Sequence, residues 1–223
     1  MKKIILSALA AFFMVSSAYA DTVRMGTEGA YPPYNFINDN GEVDGFEKDV
    51  GDMLCIRANL DCVWVINEWD SIIPNLVSGN YDTIIAGMSI TAERDEVIDF
   101  TQDYFPPSPS VYMGMSGSDV DLEGGVIAAQ TATIQAGYVA ESGATLVEFA
   151  TAEETISAVQ NGEADAVLAD GDYLASIIAE SGGEFANVGE VSIGGGVGMG
   201  IRESDGDLKA TMDKAISSMK EDG

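Results

Sequence analysis

Thr83-Ile84-Ile85-Ala86-Gly87-Met88-Ser89-Ile90-Thr91-Ala92-Glu93-Arg94 is a buried strand, Thr83 to Ala86, giving way to a helix start at Arg94. Its meaning comes from what precedes it. Asp70 can cap a helix carrying Ile72, Ile73, Leu76 and Val77, which stops at Gly79. Val63 to Ile66 alternates as a strand does, and an amphipathic helix from about Phe46 puts Phe46, Val50, Met53 and Leu54 on one face. Val23 to Thr27 is a short strand before a turn rich in Gly, Pro and Tyr, and Asn38 to Gly41 is a turn signal between extended pieces. Strand, helix, strand, helix, strand in this order predicts an α/β fold with a parallel sheet covered on both faces.

On the C-terminal side, Pro106, Pro107 and Pro109 break the pattern, Ser110 to Met113 is extended, and the alternation restarts after Asp119. Strands are predicted at Val126–Gln130, Thr145–Phe149 and Ala164–Leu168. Helices are predicted at Thr131–Glu141, from a Thr151/Glu154 capping box through Val159, and across Tyr173–Ile178. Two such units imply two lobes. Gly194-Gly195-Gly196 followed by Val197 to Ile201 predicts a return to the first. The expected division is residues 21–107 with 195–223 as lobe 1 and 108–194 as lobe 2, crossed twice at a hinge, with a ligand site between them.

Residues 1–20 stand apart. Lys2 and Lys3, the apolar run Ile4 to Val15 and Ala18-Tyr19-Ala20 have the form of a secretory signal peptide cleaved after Ala20. No Cys near the cut suggests a lipid anchor. The 223-residue chain has 10 Lys and Arg against 37 Asp and Glu, a formal charge of −27, and loss of the leader removes two more positive charges. Such a surface repels phosphate backbones and anionic headgroups, which excludes nucleic acid as a partner. The chain has no His, so every Ser-His or Cys-His catalytic device is absent. Cys55 and Cys62, the only cysteines, are expected to form a disulfide closing a short loop in a secreted protein. Neither a metal nor a cofactor is expected. Asn40 to Gly45 alternates like a calcium loop but has Gly51 at the twelfth position, and Gly194 to Gly200 lacks phosphate-loop spacing and Lys.

Arg94 is the most informative residue, the only cation between Arg57 and Arg202. A cation in a helix's first turn opposes the macrodipole, so propensity does not place it there. Its guanidinium offers two parallel donors to a carboxylate, with helix-start N–H groups and the hydroxyls of Ser89 and Thr91 beside it. The alternative is a local ion pair with Glu93, Asp95 or Glu96. Glu28 and Tyr31 follow the first strand, where α/β proteins place ligand contacts. Glu28 can meet a ligand cation or be solvated; Tyr31 and Trp69 can flank a side chain or simply pack. Asp170 either receives an α-ammonium or caps the next helix, and Thr133 can hold a carboxylate from the second lobe.

Several segments resemble the polar amino-acid-binding family of periplasmic binding proteins: Gly26-Thr27-Glu28-Gly29-Ala30-Tyr31-Pro32-Pro33-Tyr34-Asn35-Phe36, Asp44-Gly45-Phe46-Glu47-Lys48-Asp49-Val50, Trp69-Asp70-Ser71-Ile72-Ile73-Pro74-Asn75-Leu76, Tyr81 through Arg94, and Gly162 through Asp170. The likeness spans nearly the whole chain after the leader and is most specific from residue 23 to about 105. The Cys55–Cys62 spacing is similar to that of the branch binding lysine, arginine, ornithine, histidine or opines. The resemblance implies a type II two-lobed periplasmic-binding-protein fold that closes on a free amino acid, a cationic one before any other. It also implies a periplasmic location, a monomer, and delivery to the membrane permease of an ABC transporter. It assigns the ligand carboxylate to Arg94, Ser89, the Gly87 region and Thr133, the α-ammonium to Asp170, and a distal cation to Glu28 between Tyr31 and Trp69. A carboxylate-dependent dehydratase on the same scaffold and a ligand-presenting sensory protein are the other classes. Two departures stand out. Thr131-Ala132 replaces glycine and Ser/Thr before Thr133, so a carboxylate donor is expected to be missing, and the chain stops at Glu221-Asp222-Gly223, where the family normally continues into a further C-terminal helix packing on the first lobe.

Overall fold

The structure is a computed structural model that describes residues 22–223; the leader and its cleavage site lie outside the described residues. The first segment comprises β1 (Thr22–Thr27), β2 (Ala30–Tyr31), β3 (Asn35–Ile37), β4 (Val43–Asp44), α1 (Phe46–Ala58), β5 (Asp61–Ile66), a 3₁₀ turn at Trp69–Ser71, α2 (Ile72–Val77), β6 (Thr83–Ile84), α3 (Ala92–Asp95) and β7 (Asp99–Phe105). There follow β8 (Ser110–Met115), β9 (Val126–Gln130), α4 (Ile134–Glu141), β10 (Thr145–Phe149), α5 (Ala152–Gln160), β11 (Ala166–Asp170), α6 (Gly171–Glu180) and β12 (Phe185–Val191). β13 (Val197–Ile201) and α7 (Gly206–Asp222) close the chain.

Two five-stranded sheets form the lobes, in the orders β5-β1-β6-β13-β7 and β10-β9-β11-β8-β12. The sheets are mixed rather than all parallel. β5, β1 and β6 run parallel, as do β10, β9 and β11, through helical crossovers. β13 is antiparallel to β6 and β7, and β8 is antiparallel to β11 and β12. The antiparallel strands flank the two passages between sheets, β7 to β8 and β12 to β13. A strand arriving from the other lobe needs no crossover helix and can enter in the reverse sense.

Lobe 1 has a core on each face of its sheet. Met25, Leu54, Ile85, Met199 and Ile216 pack under α1 and α7, and Ile72, Leu76, Ile84, Met88 and Ile98 pack under α2 and α3. α1 ends at Asn59, whose left-handed backbone (φ 53°) returns its N–H to the Cys55 and Ile56 carbonyls. Cys55 and Cys62 are disulfide-bonded, tying that turn to β5. The capping box of Thr151 and Glu154 is formed at the start of α5.

Three expectations about element bounds and caps need correction. Thr131–Thr133 precedes α4, with Thr133 as its N-cap. β11 starts at Ala166, later than the expected Ala164, and runs to Asp170. Asp70 lies inside the 3₁₀ turn and caps nothing, since the residue before α2 is Ser71. The last helix, α7, packs on lobe 1 and buries Met212, Ala215 and Ile216. It is held by Asp213, which accepts the Gln102 N–H at 2.6 Å, and by Asp222, 2.7 Å from Arg57.

Candidate ligand site between the lobes

Glu28, Tyr31, Trp69, Gly87, Ser89 and Arg94 of lobe 1 line one cavity, partly open to solvent. Lobe 2 closes it with Thr133 and Asp170, and with Gln130 and Gln135, which the sequence reading passes over. Every residue of the expected site is therefore at the same cavity. The strands deliver these groups as an open α/β sheet should: Glu28 follows β1, Gly87 follows β6, Gln130 ends β9 and Asp170 ends β11.

Arg94 makes no ion pair within 4 Å among the described residues, so Glu93, Asp95 and Glu96 do not claim it. Its Nη1 donates to the Ser89 carbonyl at 2.8 Å and its Nη2 to the Ala132 carbonyl, on lobe 2, at 3.2 Å. The guanidinium lies 5.4 Å from the centroid of the Trp69 ring, which adds a cation–π contact. Burial lowers the Arg94 pKa to about 10, opposed by the charges of Asp170 and Glu93. The group stays cationic at neutral pH, with N–H donors beyond those two bonds free for an anion. Thr91 does not line the cavity: its hydroxyl oxygen accepts the Arg94 backbone N–H at 3.2 Å as the cap of α3.

Asp170 occupies the N-cap position of α6 yet makes no capping bond with its side chain. Its carboxylate accepts from the Tyr31 hydroxyl and from Gln135 Nε2, both at 2.9 Å. Burial pushes its pKa up, while those two donors and Arg94 pull it down. Tyr31 stacks on Tyr173 of lobe 2 with ring centroids 4.0 Å apart, and Tyr34 donates to Asp172 at 3.2 Å, so the lobes are in contact beside the cavity. The Thr133 hydroxyl donates to the Gln130 carbonyl at 2.6 Å and accepts the Ala136 N–H at 3.1 Å, which sets the first turn of α4 at the cavity wall. Ala132 has no hydroxyl to offer. In the left-handed region (φ 56°) it turns its carbonyl to Arg94 instead.

At the other end, Glu28 is 9% exposed, and its Oε1 accepts from Gln130 Nε2 across the lobe boundary at 2.7 Å. Burial, opposed by the Gln130 bond and helped by the charges of Glu47 and Glu68, raises its pKa to about 7. No cation is within 4 Å of it among the described residues. The cavity thus holds a cation facing an anion at one end and an uncompensated acid at the other. That pattern suits a zwitterion with a second positive charge. Gln130 and Gln135 are legible in the sequence only as residues at or just beyond a strand's carboxyl end, a position rule that points to a region rather than a side chain.

The model of the bacterial extracellular solute-binding proteins, family 3, matches residues 23–223. The chain is 31% identical to the L-arginine-binding protein of Pseudomonas aeruginosa, over 100% of this chain and 93% of that one. It is also 31% identical to the lysine/arginine/ornithine-binding periplasmic protein of Escherichia coli K12, over 100% and 94%. Among solved structures, a periplasmic His/Glu/Gln/Arg/opine family-binding protein from Silicibacter pomeroyi, in complex with lysine, superposes with a TM-score of 0.88 at 74% identity, over 90% of this chain and 92% of that one.

Proposed function

We propose that this chain, which belongs to the bacterial extracellular solute-binding proteins of family 3, captures a free cationic L-amino acid between its lobes and delivers it to the permease of an ABC importer. The observation that carries this reading is the charge order of the cavity, in which Arg94 faces Asp170 while Glu28 sits buried with no cation beside it. Arg94, Ser89 and the first turn of α4 at Thr133 receive the α-carboxylate, and Asp170 receives the α-ammonium. The side chain runs past Tyr31 and Trp69 to Glu28, where lysine, ornithine or arginine places its own cation. Relatives named for arginine and for lysine, arginine and ornithine, and the lysine complex of a 74% identical structure, support the ligand class.

Binding is the activity. Ligand groups that touch both lobes favour the closed arrangement, and release to the permease follows when the lobes part. The protein acts as a monomer in the periplasm, as relatives named periplasmic suggest, with residues 1–20 as its leader and cleavage after Ala20. Calorimetry with lysine, arginine, ornithine, octopine and glutamine tests the reading. A cationic amino acid binds tightest, at one per chain; no heat with any of the five, or glutamine binding tightest, contradicts it.

A further inference from the structure

Glu47, in the first turn of α1, is 0% exposed and pairs with no cation among the described residues, although it does not line the cavity. An isolated buried carboxylate is costly unless several donors hold it. Its Oε1 accepts the Gly87 N–H at 2.6 Å and the Tyr104 hydroxyl, and its Oε2 accepts Asn35 Nδ2 at 2.6 Å. The Asn35 amide cannot be reversed, because its Oδ1 accepts the Gly29 N–H at 2.7 Å. Asn35 is itself 0% exposed. Burial pushes the Glu47 pKa up, and the three donors pull it back.

The donors share a destination. Gly87 lines the cavity in a left-handed conformation (φ 62°), Gly29 follows Glu28, and Tyr104 lies on β7 just before the first passage to lobe 2. One carboxylate therefore ties together the cavity floor, the loop that carries Glu28 and the strand that enters the hinge. We infer that Glu47, acting through Asn35, is a positioning residue of the ligand site that sets the places of the Glu28 carboxylate and the Gly87 backbone without touching the ligand. The inference deepens the reading of the cavity as a site for cationic amino acids and rests on it.

The donor pattern supplies a charge-exchange test. Glu47→Gln turns an amide nitrogen toward Asn35 Nδ2, so two donors face each other. The double variant Glu47→Gln/Asn35→Asp restores a donor facing an acceptor. There the amide oxygen introduced at position 47 still accepts from Gly87 and Tyr104, and the amide nitrogen donates to the carboxylate introduced at position 35. The second oxygen of that carboxylate keeps the Gly29 N–H. Lysine affinity is expected to weaken about 10- to 100-fold in Glu47→Gln, as for a buried group left without its partner, and to return to within about threefold of wild type in the double variant. The pH midpoint of lysine binding is expected to move down in Glu47→Gln, because a charge that repels the Glu28 carboxylate is gone; loss of stability alone would not move it. Amide hydrogen exchange gives a readout independent of ligand: protection at Gly29 and Gly87 falls in Glu47→Gln and recovers in the double variant. Should Glu47→Gln fail to fold, recovery of folding by the double variant supports the inference. A double variant no better than Glu47→Gln in folding, affinity and exchange overturns it, as does a Glu47→Gln protein equal to wild type. Wild type with no affinity for lysine or any other amino acid sinks the reading of the cavity instead and leaves the exchange result to judge Glu47.

Discussion

Lobe 1 and lobe 2 share a strand order but differ in charge. All eight Lys and Arg of the described residues belong to lobe 1, and six of them pair with acids there: Arg24, Lys48, Arg57, Arg202, Lys209 and Lys220. Residues 108–194, which carry β8–β12, have 14 acids and no Lys or Arg. Arg94 makes no ion pair among the described residues and lies at the boundary, its guanidinium bonded to a carbonyl of each lobe. On the proposed reading this difference sets the polarity of the site. Lobe 2 has no side-chain cation for a carboxylate, so on the proposed reading the charged part of the anion receptor comes from lobe 1, and lobe 2 adds the first turn of α4 and Asp170. A ligand bearing both charges is drawn to both lobes at once, which is the condition for a ligand to shift an opening equilibrium.

The largest expected effect comes from breaking this division at Arg94. Arg94→Ala is expected to weaken lysine binding about 100-fold or more by calorimetry, since truncating one member of a desolvated charge pair costs about 2–5 kcal/mol. The loss should be similar for a neutral amino acid, because the carboxylate is common to all.

A smaller and more selective effect is expected at Glu28. Glu28→Gln should cost lysine about 10- to 100-fold and leave glutamine within about threefold, which separates the side-chain end of the cavity from the α-amino-acid end. In wild type the same carboxylate makes lysine affinity depend on pH. Its pKa is about 7 in the free protein, and a bound cation lowers it, so ligand displaces a proton below that pH. Lysine affinity should fall by up to about tenfold per unit as pH drops from 7 toward 5, and Glu28→Gln should remove this slope. The linked stability effect has the opposite sense. The folded pKa is raised above the unfolded one, so this group's contribution to the free protein is full at about pH 4.5 and is lost as pH rises through about 7.

The sequence makes some of this legible and hides the rest for physical reasons. Val126–Gln130 and Thr145–Phe149 are found at both ends, because each is a short run meant for a parallel sheet and bounded by turn residues. Arg94, Asp170 and Glu28 stand out because charges at the carboxyl ends of strands are conspicuous in so acidic a chain. β7 and β12 leave no such mark: their partners, β13 and β8, lie far away in sequence and reach them without the helical alternation that marks the other strands. α7 carries a readable pattern in Leu208, Met212, Ala215, Ile216 and Met219, which the sequence reading does not use. Glu47 and Asn35 resemble surface residues by type, and only tertiary structure shows a buried carboxylate held by donors from three separate segments.

The smallest expected effect returns to the charge imbalance. Salt screens self-repulsion, and lobe 2 has no Lys or Arg with which to balance its acids. Raising NaCl from about 0.05 to about 0.5 M should raise the Tm of the free protein by a few degrees, with the gain in amide protection concentrated in β8–β12 rather than in β1–β7.

A crystal structure of the protein grown with lysine is the most direct measurement. It should show the α-carboxylate on Arg94, the α-ammonium on Asp170 and the lysine Nζ within about 3 Å of Glu28. Lysine bound in the reverse sense, with Nζ at Asp170, or bound outside the interlobe cavity, would contradict the account.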